Sequence, residues 1–272
     1  MAMLPVRLKI DDVQKRTIAI LRERWTPILI LSFGLGFFPQ LLLGLGLPTP
    51  YRTGSHDAVA FTLQTVKVVG EDLLASFASA TVIAAALSTH RRTLTASSVK
   101  AVTAGLPILA LIWGIDEAEH GWSLWLLWNR GFPTTRSPMS IAFEAVASDW
   151  AFLFVSVAAF LTVGLVTPVI LAERNGMLTS LRTALRLSDG SRWPLFGMLV
   201  LYGIVLAILT IPSAAVVLAH AGKGITQTLS WIDTAVYHAV GTVWWVAMAA
   251  SYLELKRLHD GVLHGELVTV FD

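Results

Sequence analysis

Three side chains with acid–base or hydrogen-bonding chemistry stand inside an apolar run near the end of the chain. Asp233 and Tyr237 are one helical turn apart, and His238 follows about 100° further round the same helix. An ionisable side chain inside a bilayer costs about 2.5–3.5 kcal/mol unless it is paired, so this set is a candidate intramembrane polar site. The histidine could relay protons or bind an anionic headgroup. A hydrogen bond from His238 to another helix would be structural, and we favour that role.

An acidic run with one histidine is the most metal-like cluster in the sequence. A carboxylate and an imidazole one turn apart could share a face and bind a metal ion. The spacing matches no closed metal motif, so a solvated helix end is the favoured interpretation. The residues concerned are Asp116, Glu117, Glu119 and His120.

Two further carboxylates, Glu71 and Asp72, interrupt an apolar run. They could face an aqueous cavity, with Lys67 one turn away. If a helix begins at Leu73 instead, they cap its first turn, where negative charge complements the helix dipole. We favour the cap.

Motifs for catalysis and cofactor binding are missing from this sequence. There is no cysteine, which excludes disulfides and thiolate chemistry. There is no nucleophile elbow G-x-S-x-G, no phosphate-binding G-x-x-x-x-G-K-[ST] and no dinucleotide-binding G-x-G-x-x-G. The sequence therefore predicts a protein that is not an enzyme, with no metal, no cofactor and no nucleic-acid partner.

A short basic amphipathic helix is predicted at about residues 176–189, between two long apolar runs, and is called the elbow helix below. Such a helix lies flat at a bilayer surface, with its guanidinium groups toward anionic headgroups. Gly190 suits the left-handed cap after the helix. The apolar face is predicted to comprise Met177, Leu178, Leu181, Ala184 and Leu185.

The elbow region is also the predicted contact site for anionic phospholipids or for a partner protein. Tryptophan is common at the membrane–water interface, where its ring is amphipathic. The acidic member, Glu173, is expected to form an ion pair with one of the arginines and to lock the elbow to the rest of the protein. The predicted site comprises Glu173, Arg182, Arg186, Arg192 and Trp193.

The rest of the chain has the composition of membrane-spanning helices. Apolar residues make up 55% of the chain and charged residues 14%, against about a quarter charged in a typical soluble domain. Six apolar runs match the hydrocarbon thickness in length. They cover residues 26–47, 63–89, 99–115, 150–172, 194–219 and 232–255. The predicted fold is all-α, a polytopic membrane protein with six transmembrane helices and with interfacial amphipathic helices at the N-terminus and the elbow.

The placement of positive charge predicts the orientation in the membrane. Of the 20 lysines and arginines, all but five precede the first run, follow the second or the last, or lie in the elbow. Positive charge favours the cytoplasmic side, so both termini are expected in the cytoplasm of a bacterial inner membrane. This divides the chain into a cytoplasmic interfacial helix (residues 1–25), a six-span membrane domain (26–255) and a cytoplasmic tail (256–272). The five exceptions are Arg52, Lys67, Arg130, Arg136 and Lys223.

Two local patterns bear on helix packing. The first run is interrupted by glycine and proline, which predicts a kink at Gly34, Gly36 and Pro39. The second run repeats small residues every four positions, which lets another helix approach closely. That face comprises Ser76, Ala80 and Ala84.

The elbow and the tail carry a family resemblance. Pro168 and Glu173 are followed by LRTALRLSDGSRWPLFG at residues 181–197, and the tail reads SYLELKRLHDG at 251–261. Over about residues 166–261 this pattern resembles the membrane domain related to bacterial glycerophosphoryl diester phosphodiesterases. The resemblance implies a stand-alone membrane module without catalysis, since the catalytic barrel of those enzymes is absent from this sequence. The tail residues that carry it are Tyr252, Leu255, Lys256, Asp260 and Gly261.

Two functions are consistent with these patterns. The first is a non-enzymatic integral inner-membrane protein, a scaffold, accessory subunit or lipid-interacting module that contacts anionic phospholipids and another membrane subunit or a second copy. The alternative is a transporter or permease for a lipid-like or small amphiphilic substrate, with Asp233 and His238 lining a cavity. A scaffold should depend on the elbow arginines, and a transporter on His238.

Overall fold

The computed structural model describes residues 8–46, 58–88, 102–103, 165–173, 176–219 and 225–271. Every regular element in these ranges is helical, which confirms the all-α prediction. In chain order they are α1 (Ile10–Ser32), a π-helical turn (Phe33–Phe37), α2 (Phe38–Gly46), α3 (Ala58–Leu87), α4 (Val166–Glu173), α5 (Met177–Ser188), α6 (Arg192–Ala219) and α7 (Ile225–Phe271).

Helix α1 bends where the sequence predicts the change from interfacial helix to first span. Arg24 leaves the helical conformation, with φ −132° and ψ 20°. Pro27 contributes to the bend, because it has no amide hydrogen for the carbonyl oxygen of Glu23. The residues before the bend form an N-terminal arm that buries Val13 and Thr17. The predicted boundary at residue 25 therefore coincides with a bend in a continuous element.

The guanidinium group of Arg24 caps the end of α3. Its Nη1 donates to the carbonyl oxygens of Ala85 at 3.0 Å and Ala86 at 3.2 Å, and also to that of Ser88. The last carbonyl groups of a helix have no partner within the helix, so a cation there satisfies them and complements the dipole. The bend in α1 is thus fixed to a neighbouring helix.

The kink predicted from glycine and proline is a single π-helical turn. Pro39 cannot donate to the carbonyl oxygen of Leu35 four residues earlier. The amide of Phe38 donates instead to the carbonyl oxygen of Phe33, five residues back. The wider turn accommodates the missing hydrogen bond and separates α1 from α2.

The second half of α3 forms the centre of the bundle. It packs against α1, α4 and α7. Ala80 and Ala84, two members of the predicted small-residue face, are buried, as are Thr81 and Ile83 beside them. The close approach expected from the small residues is therefore present.

The capping role that we favoured for Glu71 is wrong. Helix α3 begins at Ala58, so Glu71 lies inside the helix rather than in its first turn. Its carboxylate Oε1 lies 3.9 Å from Nζ of Lys67, one turn earlier. The ion pair of Lys67 and Glu71 lies within α3, before its most apolar part. The start of the apolar part therefore does not mark the start of the helix, which begins at Ala58.

The elbow helix forms close to its predicted bounds, as α5. Gly190 follows it with a φ of 75°, the left-handed conformation expected of the cap. Helix α6 covers the predicted run 194–219. Helix α7 covers the run 232–255 and continues through most of the predicted tail, to a length of about 70 Å.

Two helical stretches in the described ranges are long and apolar enough to cross a membrane by length and composition. They are Ile10–Leu43 and Val69–Leu87, which contain most of the first two predicted runs. A shorter apolar helix covers Arg192–Leu206. The runs 99–115 and 150–172 lie mostly outside the described residues, and the acidic run with His120 lies wholly outside them.

Candidate functional site

His238 is a buried polar residue on α7, 6% exposed, and it faces the π-helical turn. Its ring makes edge-on contacts with the rings of Phe37 and Tyr237, with centroid separations of 6.2 and 6.1 Å. Gly36 is directly beside it. A Cβ atom on residue 36 would lie 2.5 Å from Cε1 and 2.9 Å from Nδ1 of His238. A glycine is therefore required at this position for the imidazole to pack against the turn.

A glutamine amide connects His238 to two other helices. Nε2 of His238 lies 2.8 Å from Oε1 of Gln40 on α2. The amide nitrogen of Gln40 donates to the carbonyl oxygen of Glu71 on α3, at 2.7 Å. A backbone carbonyl can only accept, so the amide nitrogen of Gln40 points to Glu71 and its oxygen points to His238. Nε2 of His238 is consequently the donor.

Two hydroxyl groups complete the polar cluster at the backbone of His238. Oγ1 of Thr242 lies 2.6 Å from the carbonyl oxygen of His238 and 2.6 Å from Oγ of Ser32. Ser32 is the last residue of α1, so this pair joins α1 to α7. We call the set Ser32, Gln40, His238 and Thr242 the histidine cluster.

The other two members of the predicted intramembrane site, Tyr237 and Asp233, are not part of the histidine cluster as described. Tyr237 is exposed beside His238. The backbone of Asp233 lies one turn earlier on α7, and its side chain is outside the described residues. Sequence reasoning identified His238 but missed Gln40, Ser32 and Thr242. The amide of Gln40 in an otherwise apolar run was the available signal.

The elbow helix buries Ala184 of its predicted apolar face and exposes Leu178. Most of its buried residues are small, which lets α5 approach the bundle closely. The buried residues are Ser180, Ala184, Leu187 and Ser188. The sequence analysis placed Leu178 on the apolar face of the elbow helix, but Leu178 is 68% exposed and lies on the same side of the helix as the exposed Arg182 and Arg186. Residues four apart share a side of a helix, so the apolar and basic faces meet at Leu178 and are not opposite one another.

The turn after the elbow helix carries the remaining predicted contact residues. Arg192 is exposed, and Trp193 is 82% exposed. Ser191 between the two helices is buried, and its Oγ accepts a hydrogen bond from the amide of Leu8 at 3.2 Å. The backbone just before α1 is thereby attached to the elbow.

Glu173 connects α4 to α7, whereas the sequence analysis expected an ion pair with an elbow arginine. Its Oε1 accepts from the hydroxyl of Tyr252 at 3.0 Å and from Nζ of Lys256 at 3.2 Å. Burial lowers the pKa of Lys256, but hydrogen bonds with Tyr252 and Glu173 more than compensate, and the net pKa is above its ordinary value. Lys256 is therefore protonated at neutral pH. The three residues of this cluster are among those that carry the family resemblance.

Replacing Tyr252 by phenylalanine should destabilise the protein by about 1 kcal/mol. The substitution keeps the buried ring and removes two hydrogen bonds of the hydroxyl, one donated to the carboxylate of Glu173 and a longer one accepted from Nζ of Lys256. Thermal unfolding in detergent would measure the loss. In a Glu173→Gln background the same substitution should cost less, and an equal cost in both backgrounds would show that the hydroxyl does not act through Glu173.

A second ion cluster holds the N-terminal arm against α7. Nη1 of Arg16 lies 2.5 Å from Oε1 of Glu254, and Nη2 of Arg257 lies 2.8 Å from Oε2 of the same carboxylate. The side chain of Glu254 is 7% exposed. The N-terminal arm is thus joined to the elbow through Ser191 and to α7 through Glu254.

Within the described ranges, no group of three or more histidine, aspartate and glutamate residues could hold a metal ion. The chain was also compared with family models, with curated proteins and with solved structures, and no match was found in any of the three.

Proposed function

We propose that this protein is a non-enzymatic, six-span inner-membrane protein whose cytoplasmic face binds anionic phospholipids. The observation that supports this most strongly is the exposed face of the elbow helix, where Leu178 lies beside Arg182 and Arg186, with Trp193 just beyond. A water-facing helix gains nothing from exposing leucine and tryptophan there. At a bilayer surface the apolar groups enter the headgroup boundary and the guanidinium groups meet phosphates.

The N-terminal arm repeats the same pattern. Its exposed side chains include two cations and two large apolar groups, Lys15, Ile18, Arg22 and Trp25, besides the acidic Asp11 and Glu23. Lys15, Ile18 and Arg22 are three or four residues apart, so they share one face of the helix. We use the name basic collar for the exposed basic and large apolar residues of the arm and the elbow: Lys15, Ile18, Arg22, Trp25, Leu178, Arg182, Arg186, Arg192 and Trp193. The attachment of Leu8 to Ser191 keeps both parts of the collar on one end of the bundle.

The membrane assignment has three supports. Two helical stretches are long and apolar enough to span a bilayer, and positive charge is concentrated in the collar and in the segments expected on its side of the membrane. The resemblance of residues 166–261 to a membrane domain points in the same direction. In this proposal the protein is a lipid-interacting module, a scaffold or an accessory subunit, with another membrane subunit or a second copy as its protein partner.

Neutralising the elbow arginines should remove anionic lipid from the purified protein. The variant Arg182→Gln/Arg186→Gln/Arg192→Gln loses three cations, each contributing about 1 kcal/mol near an anionic surface. Retained anionic phospholipid, measured by mass spectrometry after mild detergent extraction, should fall by about a hundredfold relative to zwitterionic lipid. Substitution of three exposed polar residues outside the collar should leave the ratio unchanged. An unchanged ratio in the arginine variant would contradict the proposal.

A transporter or permease for a lipid-like substrate is the second candidate. The π-helical turn beside the histidine cluster favours it, because interrupted helices often line substrate paths in transporters. Reconstituted vesicles containing a fluorescent short-chain phospholipid would test this by measuring transfer between leaflets. Transfer that is lost on His238→Ala and retained in the arginine variant would support transport. A protein without transfer activity, which tolerates His238→Ala, would support the lipid-binding module.

A further inference from the structure

We propose that His238 is a proton-binding switch that controls the packing of α2 and the π-helical turn against α7. The proposal depends on the geometry of the histidine cluster and on the burial of its imidazole. It does not depend on whether the protein is a lipid-binding module or a transporter.

The hydrogen bonds of Gln40 determine which nitrogen of His238 is available to a proton. The amide of Gln40 donates to the backbone of Glu71, so its oxygen accepts from Nε2 of His238. With one proton on the ring, that proton is on Nε2, and Nδ1 has a lone pair. A second proton must bind to Nδ1, the nitrogen that lies against Gly36.

The surroundings of Nδ1 are unfavourable for a charged ring. Gly36 lies against Nδ1, and glycine has no side chain that could accept a hydrogen bond or balance a charge, while the ring of Phe37 contacts the imidazole edge-on. From α1 and α2 the neighbours are Ser32 and Gln40, which are uncharged. Burying an uncompensated cation is costly, so a protonated ring must move or draw the turn with it.

The titratable groups near the cluster lie on α3 and α7. Helix α3 contributes Glu71, which approaches through its backbone carbonyl and whose carboxylate faces Lys67. Helix α7 contributes Tyr237, whose ring contacts the imidazole edge-on, and the backbone position of Asp233 one turn earlier. The amide of Gln40 links the imidazole of His238 to α3 by hydrogen bonds. Displacing the ring would break contacts among α2, α3 and α7 together.

Hydrogen exchange in lipid nanodiscs would test the switch. Lowering the pH from about 8 to about 4.5 spans the range in which a histidine binds a proton. After correction for the intrinsic pH dependence, amide protection in residues 33–46 should fall by about tenfold in the full-length protein. His238→Gln should remove this dependence, with His238→Asn as the second variant if the first does not fold. His259→Gln, which changes a histidine elsewhere on α7, is the matched control and should behave like the unmodified protein.

The results distinguish a proton switch at His238 from a purely structural role of this histidine. A pH-dependent loss of protection that disappears with His238 and persists without His259 supports the switch. Protection that is independent of pH in the unmodified protein, or a pH dependence that is unchanged in the His238 variants, would overturn it.

Discussion

Replacing Gly36 by alanine is expected to destabilise the protein by about 1–3 kcal/mol, the usual cost of inserting a methyl group into a packed interior. The new Cβ would lie 2.5 Å from Cε1 of His238 and 3.1 Å from Cβ of Ala78. The imidazole cannot move away from the new methyl group without cost, because its Nε2 is hydrogen-bonded to Gln40. The free energy of unfolding in mixed detergent micelles would measure the effect.

Gly34 provides the matched control in the same turn. A Cβ on residue 34 would have no heavy atom within 4 Å. Gly34→Ala should therefore be neutral or stabilising by up to about 1 kcal/mol, because alanine restricts the unfolded chain. In a His238→Ala background the cost of Gly36→Ala should largely disappear. Equal effects of the two glycine substitutions would mean that the contact with His238 does not determine the requirement for glycine.

Replacing Arg16 by glutamine is expected to cost about 2–3 kcal/mol. Removing one partner from a fully buried ion pair typically costs about 3–5 kcal/mol, since the other charge is left uncompensated. We expect a smaller loss than this here, because the side chain of Arg16 is 35% exposed, although that of Glu254 is only 7% exposed. Thermal unfolding in detergent should show the loss, and limited proteolysis should cleave the N-terminal arm more rapidly.

Arg257 serves as a control on the same carboxylate. Its side chain is 63% exposed, so Arg257→Gln should change stability by no more than about 1 kcal/mol. Adding Glu254→Gln to the Arg16 variant should recover part of the loss, because it removes a buried carboxylate that is then paired only with the more exposed Arg257. If Arg16→Gln and Arg257→Gln had the same effect, the lower exposure of Arg16 would not explain a larger contribution of its ion pair.

The histidine cluster and the basic collar occupy different levels of the bundle. His238 and Glu254 are separated by about 24 Å along α7 by helical rise. The ionic contacts of Arg16, Glu173 and Lys256 are at the collar end, while the neutral hydrogen bonds of Gln40 are further along. This arrangement suits a protein in which the charged end faces headgroups and the uncharged cluster lies within the bilayer.

Local features of the fold were accessible from the sequence. The bounds of the elbow helix, the cap at Gly190 and the distortion near Pro39 follow from residues a few positions apart. Helical periodicity, the conformational freedom of glycine and the missing amide hydrogen of proline act over one or two turns. The sequence alone was therefore sufficient for these elements.

The partners of the polar side chains were decided by the tertiary structure. Glu173 pairs with Lys256 on α7, Gln40 connects His238 to Glu71, and Arg16 pairs with Glu254. Each of these depends on how two helices are rotated and offset relative to one another. Hydropathy does not encode that rotation, because any apolar face can pack, and close contact between small residues selects among the alternatives.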